Sequence, residues 1–115
     1  MLKSFTIILT FISLIMTDSE RGWQHPQTGW EVVTTEMMSF YLVQSAFLDN
    51  IELEENQNDV IGAFFGDQNI GWEFYNNQVT IIPTTGDNGS MPNYPYEGAS
   101  ITFKIYDASE NIILD

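Results

Sequence analysis

From Val60 onward the chain is cut into short β-prone runs by clusters of Gly, Asn, Asp and Pro, and this punctuation constrains the fold more than any other feature. Val60–Phe65 is followed by Gly66, Asp67, Gln68 and Asn69; residues 70–75 by Asn76 and Asn77; residues 78–82 by an irregular stretch over 83–98. Runs of this length are too short for amphipathic helices. The residues between them are those that tolerate positive φ or preset a turn, so the pattern predicts a meander of hairpins. Residues 100–106 alternate, with Ile101, Phe103 and Ile105 on one face and Ser100, Thr102, Lys104 and Tyr106 on the other, as a strand with one buried face requires.

The earlier part of the chain continues the theme. Residues 30–35 are β-prone, and residues 36–48 place Ser39, Tyr41, Val43, Ser45 and Phe47 opposite Met38, Phe40, Leu42, Gln44 and Ala46. A helix over 37–47 competes with a strand there. The aromatic and β-branched content, with no capping residues at the start, favours the strand. Residues 49–59 form an acidic connection with room for a short edge strand at 51–53. Gly22, Pro26 and Gly29 make 21–29 an irregular entry segment, and residues 111–114 form a last edge strand or the start of one cut short. The expectation is an all-β chain: a small antiparallel β-sandwich, immunoglobulin-like or jelly-roll-like, as a single domain over residues 20–115.

Residues 1–19 read differently. Lys3 precedes an uncharged run from Phe5 to Met16, too short to span a bilayer and right for the core of a secretion signal, with the small residues Thr17 and Ser19 bracketing Asp18 near the cleavage position. The β-branched and aromatic residues in the run also suit a buried β-strand. As a signal peptide, this segment directs the domain outside the cell or to its surface, with no membrane insertion after cleavage; left uncleaved, it would be an anchor. Its removal takes away one base and one acid, so the charge of −13 belongs to the domain.

Charge excludes several functions. Three Lys and Arg stand against 16 Asp and Glu among 115 residues, which removes the driving force for nucleic-acid binding and repels anionic lipid. No Cys is present, so an exported fold must rest on its apolar core or on bound ions. Calcium is the cofactor that acidic loops would take, and loops 52–59 and 87–97 offer oxygen ligands, with Asp87, Asn88 and Glu97 as candidate metal ligands. Neither loop has EF-hand spacing, and Asp87-Asn88-Gly89 equally makes a plain hairpin turn.

Enzymatic constellations are absent. His25 is the single histidine, there is no Gly-x-Ser-x-Gly elbow, and one His without Cys does not build a zinc site. No pair of acids is singled out for glycoside hydrolysis, and no catalytic residue is assigned. Aromatic residues carry the remaining signal: Trp23, Trp30, Trp72, Tyr75, Tyr94 and Tyr96 could stack on sugar rings. Along a strand Trp72 shares a face with Phe74, and Tyr75 shares the other with Glu73, so they do not form one platform. Trp30 and Trp72 also fit a core. Tyr94 and Tyr96, among prolines in the long loop, are the candidate ligand-binding pair, with Trp72 and Tyr75 as secondary candidates.

The ordered series Gly29-Trp30-Glu31, Ser39-Phe40-Tyr41, Asp59-Val60-Ile61-Gly62-Ala63-Phe64, Ile70-Gly71-Trp72, Gly86-Asp87-Asn88-Gly89 and Phe103-Lys104-Ile105-Tyr106-Asp107-Ala108-Ser109 resembles a β-sandwich module. That module recurs in secreted multi-domain surface proteins of marine bacteria, many with type IX secretion sorting tails. The resemblance spans roughly residues 29–115. It implies a secreted or cell-surface, non-catalytic recognition or adhesion module with a polysaccharide or a cell-surface protein as partner. The alternative is a calcium-stabilised spacer or protein-interaction module of a larger extracellular protein. Two features depart from the family: no sorting tail is present, and Asn69 stands where members often carry Cys.

Overall fold

Val60–Phe65 (β6) and Gln68–Phe74 (β7) form the hairpin around which the rest of the chain is built, and Gly66 makes its turn at a φ of 59°. The structure, a computed structural model, describes residues 5–15, 22–54, 58–76 and 78–115. Lys3, the cleavage region at Thr17–Ser19, part of the acidic loop at 55–57 and Asn77 lie outside the described residues, as does the side chain of Trp23.

Thr102–Asp107 (β9) adds to the free edge of β6, and Ile112–Leu114 (β10) adds to β9, giving an antiparallel sheet in the order β10-β9-β6-β7. The second sheet is centred on Met37–Leu48 (β4). One edge of β4 pairs with Ile51–Glu52 (β5) and Thr80–Thr85 (β8), while Phe5–Ile15 (β1) pairs antiparallel along the whole of the other. Gly22–Gln24 (β2) and Glu31–Val33 (β3) make a separate two-stranded ribbon. The molecule is thus a small antiparallel β-sandwich, and the described residues contain no helix.

The core lies between the two sheets. Val43 and Ala46 from β4 and Ile82 from β8 meet Ile61, Ala63, Ile70 and Ile105, each with essentially no exposure. Two β-bulges make this face continuous. Gln44 has no partner in the β1 register, so β4 buries Val43 and then Ala46. Ile70 is likewise the extra residue opposite β6, which lets both Ile70 and Tyr75 reach the core. Asn69 braces this second bulge by donating from Nδ2 to the carbonyls of Ala63 (3.2 Å) and Gly71 (3.1 Å).

The outer face of the β6 sheet is covered too. Val60, Phe64 and Tyr106 are buried beneath Trp30 of the ribbon, whose ring meets Phe64 edge to face at 5.3 Å. This accounts for Tyr106, which the alternation of residues 100–106 places on the polar face and which is in fact 5% exposed. Its hydroxyl donates to Asn111 Oδ1 at 2.7 Å.

Three segments differ from the sequence expectations. The entry segment contains a short strand, β2, because the turn at 25–29 folds Gln24 back on Glu31. The irregular stretch begins later than residue 83: Pro83, Thr84 and Thr85 complete β8, with Pro83 opposite Phe40. Proline is tolerated because β8 pairs on one side only, so no ladder bond is lost on the other. In the intact chain the run with leader character, Phe5–Ile15, lies along β4, with Phe5 and Ile7 packed against the core.

Candidate functional site

A cleft of about 420 Å³ lies where the first half of β4 and the end of β8 meet the segment 95–101. Its floor is apolar, from Met37, Met38, Tyr41, Ile70 and Ile101, and its rim carries Asp87, Tyr96 and Glu97. Tyr41 is held edge to face against Phe103 at 5.2 Å, and burial pushes its phenol pKa up. Among the described residues, no basic side chain lines the cleft.

The wall formed by the loop after β8 is fixed by hydrogen bonds spanning the chain. Thr35 N–H donates to Thr85 Oγ1 (2.8 Å), and Thr35 Oγ1 donates to the Gly86 carbonyl (2.7 Å), with the two threonine hydroxyls 3.0 Å apart. Gly86 N–H donates to the Met37 carbonyl (2.6 Å), and Asp87 N–H to the Pro95 carbonyl (2.9 Å). The loop therefore leaves the sheet at Gly86 and is tied back to itself at Pro95, which presents Tyr96 outward. That ring is 67% exposed, and its aromatic neighbour among the described residues is Phe65, in a T-shaped contact at 5.9 Å.

The other predicted site residues have different surroundings. Tyr94 is buried, and its hydroxyl accepts the Val33 N–H at 2.9 Å, pinning the loop to the ribbon. It borders a second, shallower depression of about 370 Å³ with Glu31, Gln68 and Met91. Tyr75 is buried in the core and donates to Glu52 Oε1 at 3.2 Å; burial, then the Glu52 charge, raises its pKa. Trp72 is half-buried on the opposite face of the β6 sheet, against His25 at 5.0 Å and Phe74 at 5.7 Å. Of the four candidate ligand-binding aromatics, only Tyr96 reaches the cleft.

Of the candidate metal ligands, Asp87 and Asn88 hold hydrogen bonds to other groups of the chain. Asp87 Oδ1 accepts from Gly89 N–H (2.8 Å) and Met91 N–H (3.0 Å), the arrangement of an Asx turn. Asn88 Oδ1 accepts from the Ser90 backbone and hydroxyl, while its Nδ2 donates to Glu36 Oε2 at 3.0 Å. That bond holds the Glu36 carboxyl below its ordinary pKa. Glu97 is exposed, and no three Asp, Glu or His side chains among the described residues gather where one ion could be held. Sequence reasoning missed Met37, Met38 and Tyr41, whose strand alternation gives no sign that the sheet opens at that end.

His25 is sealed rather than poised. It is 1% exposed, under the rings of Trp72, Phe74 and Tyr106, and its Nδ1 accepts the Thr28 N–H at 3.1 Å, which places the ring proton on Nε2. Burial lowers its pKa from 6.5. A base whose folded-state pKa is depressed favours folding while neutral. Its contribution is therefore complete above pH 6.5 and is lost as pH falls from 6.5 through the depressed value. The difference in melting temperature between the protein and its His25→Gln variant is expected to shrink over that interval in a pH series, and an unchanged difference would place the imidazole in water.

Comparison with family models, with curated proteins and with solved structures finds no match to this chain.

Proposed function

We propose that the chain is a secreted or cell-surface recognition module, non-catalytic, that holds a polysaccharide against Tyr96 in the cleft between β4 and the 86–101 loop. The observation that carries this reading is the placement of one exposed aromatic ring at the mouth of an apolar cleft, in a loop otherwise tied down by hydrogen bonds. An aromatic face on a prefixed loop can stack on the C–H face of a sugar ring with little ordering cost. The hydroxyl and carboxylate groups of Ser39, Asp87 and Glu97 around it suit sugar hydroxyls. A charge of −13 and a rim without bases among the described residues favour a neutral glycan over a polyanionic one. The resemblance to surface modules of marine bacteria fits the same role, with residues 1–19 as the export signal.

The test is retention on a panel of soluble and insoluble neutral and acidic polysaccharides, with calcium and with chelator. Tyr96→Ala is expected to weaken binding about tenfold, the loss of roughly 1.4 kcal/mol, with the melting temperature unchanged. Tyr94→Ala is expected to lower the melting temperature instead, because it opens the core and frees the Val33 N–H. Absence of retention on every neutral glycan by the folded protein would overturn the polysaccharide reading, and retention abolished only by chelator would bring calcium into the site.

A further inference from the structure

Met37–Leu48, the central strand of its sheet, contains no charged residue in a chain that carries 16 acids. One of its edges is shared by β5 and β8. The other is covered over its full length by Phe5–Ile15, from Phe5 opposite Leu48 to Ile15 opposite Met37. The covering strand is the segment with leader character. If it is removed on export, as the proposed function assumes, every backbone donor and acceptor on that edge loses its partner. Phe5 and Ile7 leave the core at the same time, uncovering apolar surface beside Val43 and Ala46. Folded proteins protect such edges with charge, proline or a short strand, and β4 has none of these.

We infer that in the exported protein this edge of β4 is an interface, and that its occupant is the same edge of a second copy. The seated β1 shows what the edge accepts: an extended, uncharged, apolar strand running antiparallel. β4 has that chemistry itself, and antiparallel pairing of one strand with its own copy is closed by a two-fold axis, so the assembly stops at a dimer. Leu42 lies on the solvent side of the sheet, between the core-facing Tyr41 and Val43, and is paired with Thr10 and Ile81. A carboxylate there leaves the core intact and brings a charge from each copy into an otherwise uncharged strand pair. The charge of −13 on each copy opposes association, so added salt strengthens it.

The experiment is export of the full chain from a secreting bacterial host, followed by mass spectrometry of the recovered protein and light scattering in low and high salt. The expected result is a chain lacking residues 5–15 with twice the mass of one copy, its dimer favoured by salt, and a monomer for Leu42→Asp. Phe40→Asp, on the same solvent side, is expected to act alike and stands in if the first variant does not fold. An exported chain that keeps residues 5–15 overturns the leader reading and this inference with it. A processed chain that is a folded monomer, or an open-ended aggregate, in both salts overturns this inference and leaves the recognition reading standing.

Discussion

An alanine at Gly71 is expected to lower stability by roughly 3 kcal/mol and the melting temperature by on the order of 10 °C, at the upper end of what overpacking costs. A Cβ built there would come within 2.1 Å of the Pro83 carbonyl oxygen and 3.0 Å of its carbon. These are backbone atoms, so no rotamer change relieves the clash. Pro83 is held in register opposite Phe40, and Gly71 opposite Ala63, so relief requires one sheet to move away from the other. Gly66→Ala supplies the contrast. Its φ of 59° strains an alanine, but nothing lies within 4 Å, and a loss of only about 1 kcal/mol is expected. The same displacement in Gly71→Ala would shift Thr84 and Thr85, which line the cleft, so affinity should fall together with stability. Denaturation by heat or urea decides it: a Gly71→Ala midpoint matching the parent would mean that the two backbones are not in contact.

The close approach at Gly71 also marks where sequence reasoning stops. β6 is legible as a continuous apolar run closed by turn residues, and β4 by its aromatic and β-branched content, so local pattern is enough to define each strand. The bulges at Gln44 and Ile70 are not legible. They exist because a partner strand skips one residue, a property of the pair rather than of either sequence. The same distinction separates Tyr94 from Tyr96. Both sit among prolines in one loop, yet the first is buried by a hydrogen bond to Val33, 61 residues away, while the second is left outside. The cleft itself joins Met37 and Tyr41 to Tyr96 and Ile101 across the sandwich, and local alternation is silent about such pairings. The acidic turn at Asp87 was visible, and its hydrogen bonds fulfil the turn chemistry that the sequence already offered.

The ribbon that covers the outer face makes a second large effect testable as a coupling. Trp30→Ala is expected to cost about 3–5 kcal/mol, since the indole is 8% exposed and closes the pocket over Val60, Phe64 and Tyr106. Gly62 lies directly beneath it: an added Cβ would stand 2.7 Å from Trp30 Cζ3 and 2.9 Å from Cε3, with Phe64 Cε1 at 3.0 Å. Gly62→Ala in the parent is therefore expected to cost roughly 1–3 kcal/mol by displacing the indole. With Trp30 already truncated, the indole is gone, Phe64 can turn into the space, and an alanine in mid-strand loses less backbone entropy on folding than the glycine. The second substitution should then be neutral or stabilising. The double-mutant cycle should show an interaction of about 1–3 kcal/mol opposing the two single losses, where well-separated sites would simply add. Additive losses would mean that the indole does not rest on Gly62. An interaction of the expected sign would establish that this glycine is present to admit the tryptophan, and that the ribbon belongs to the folded core.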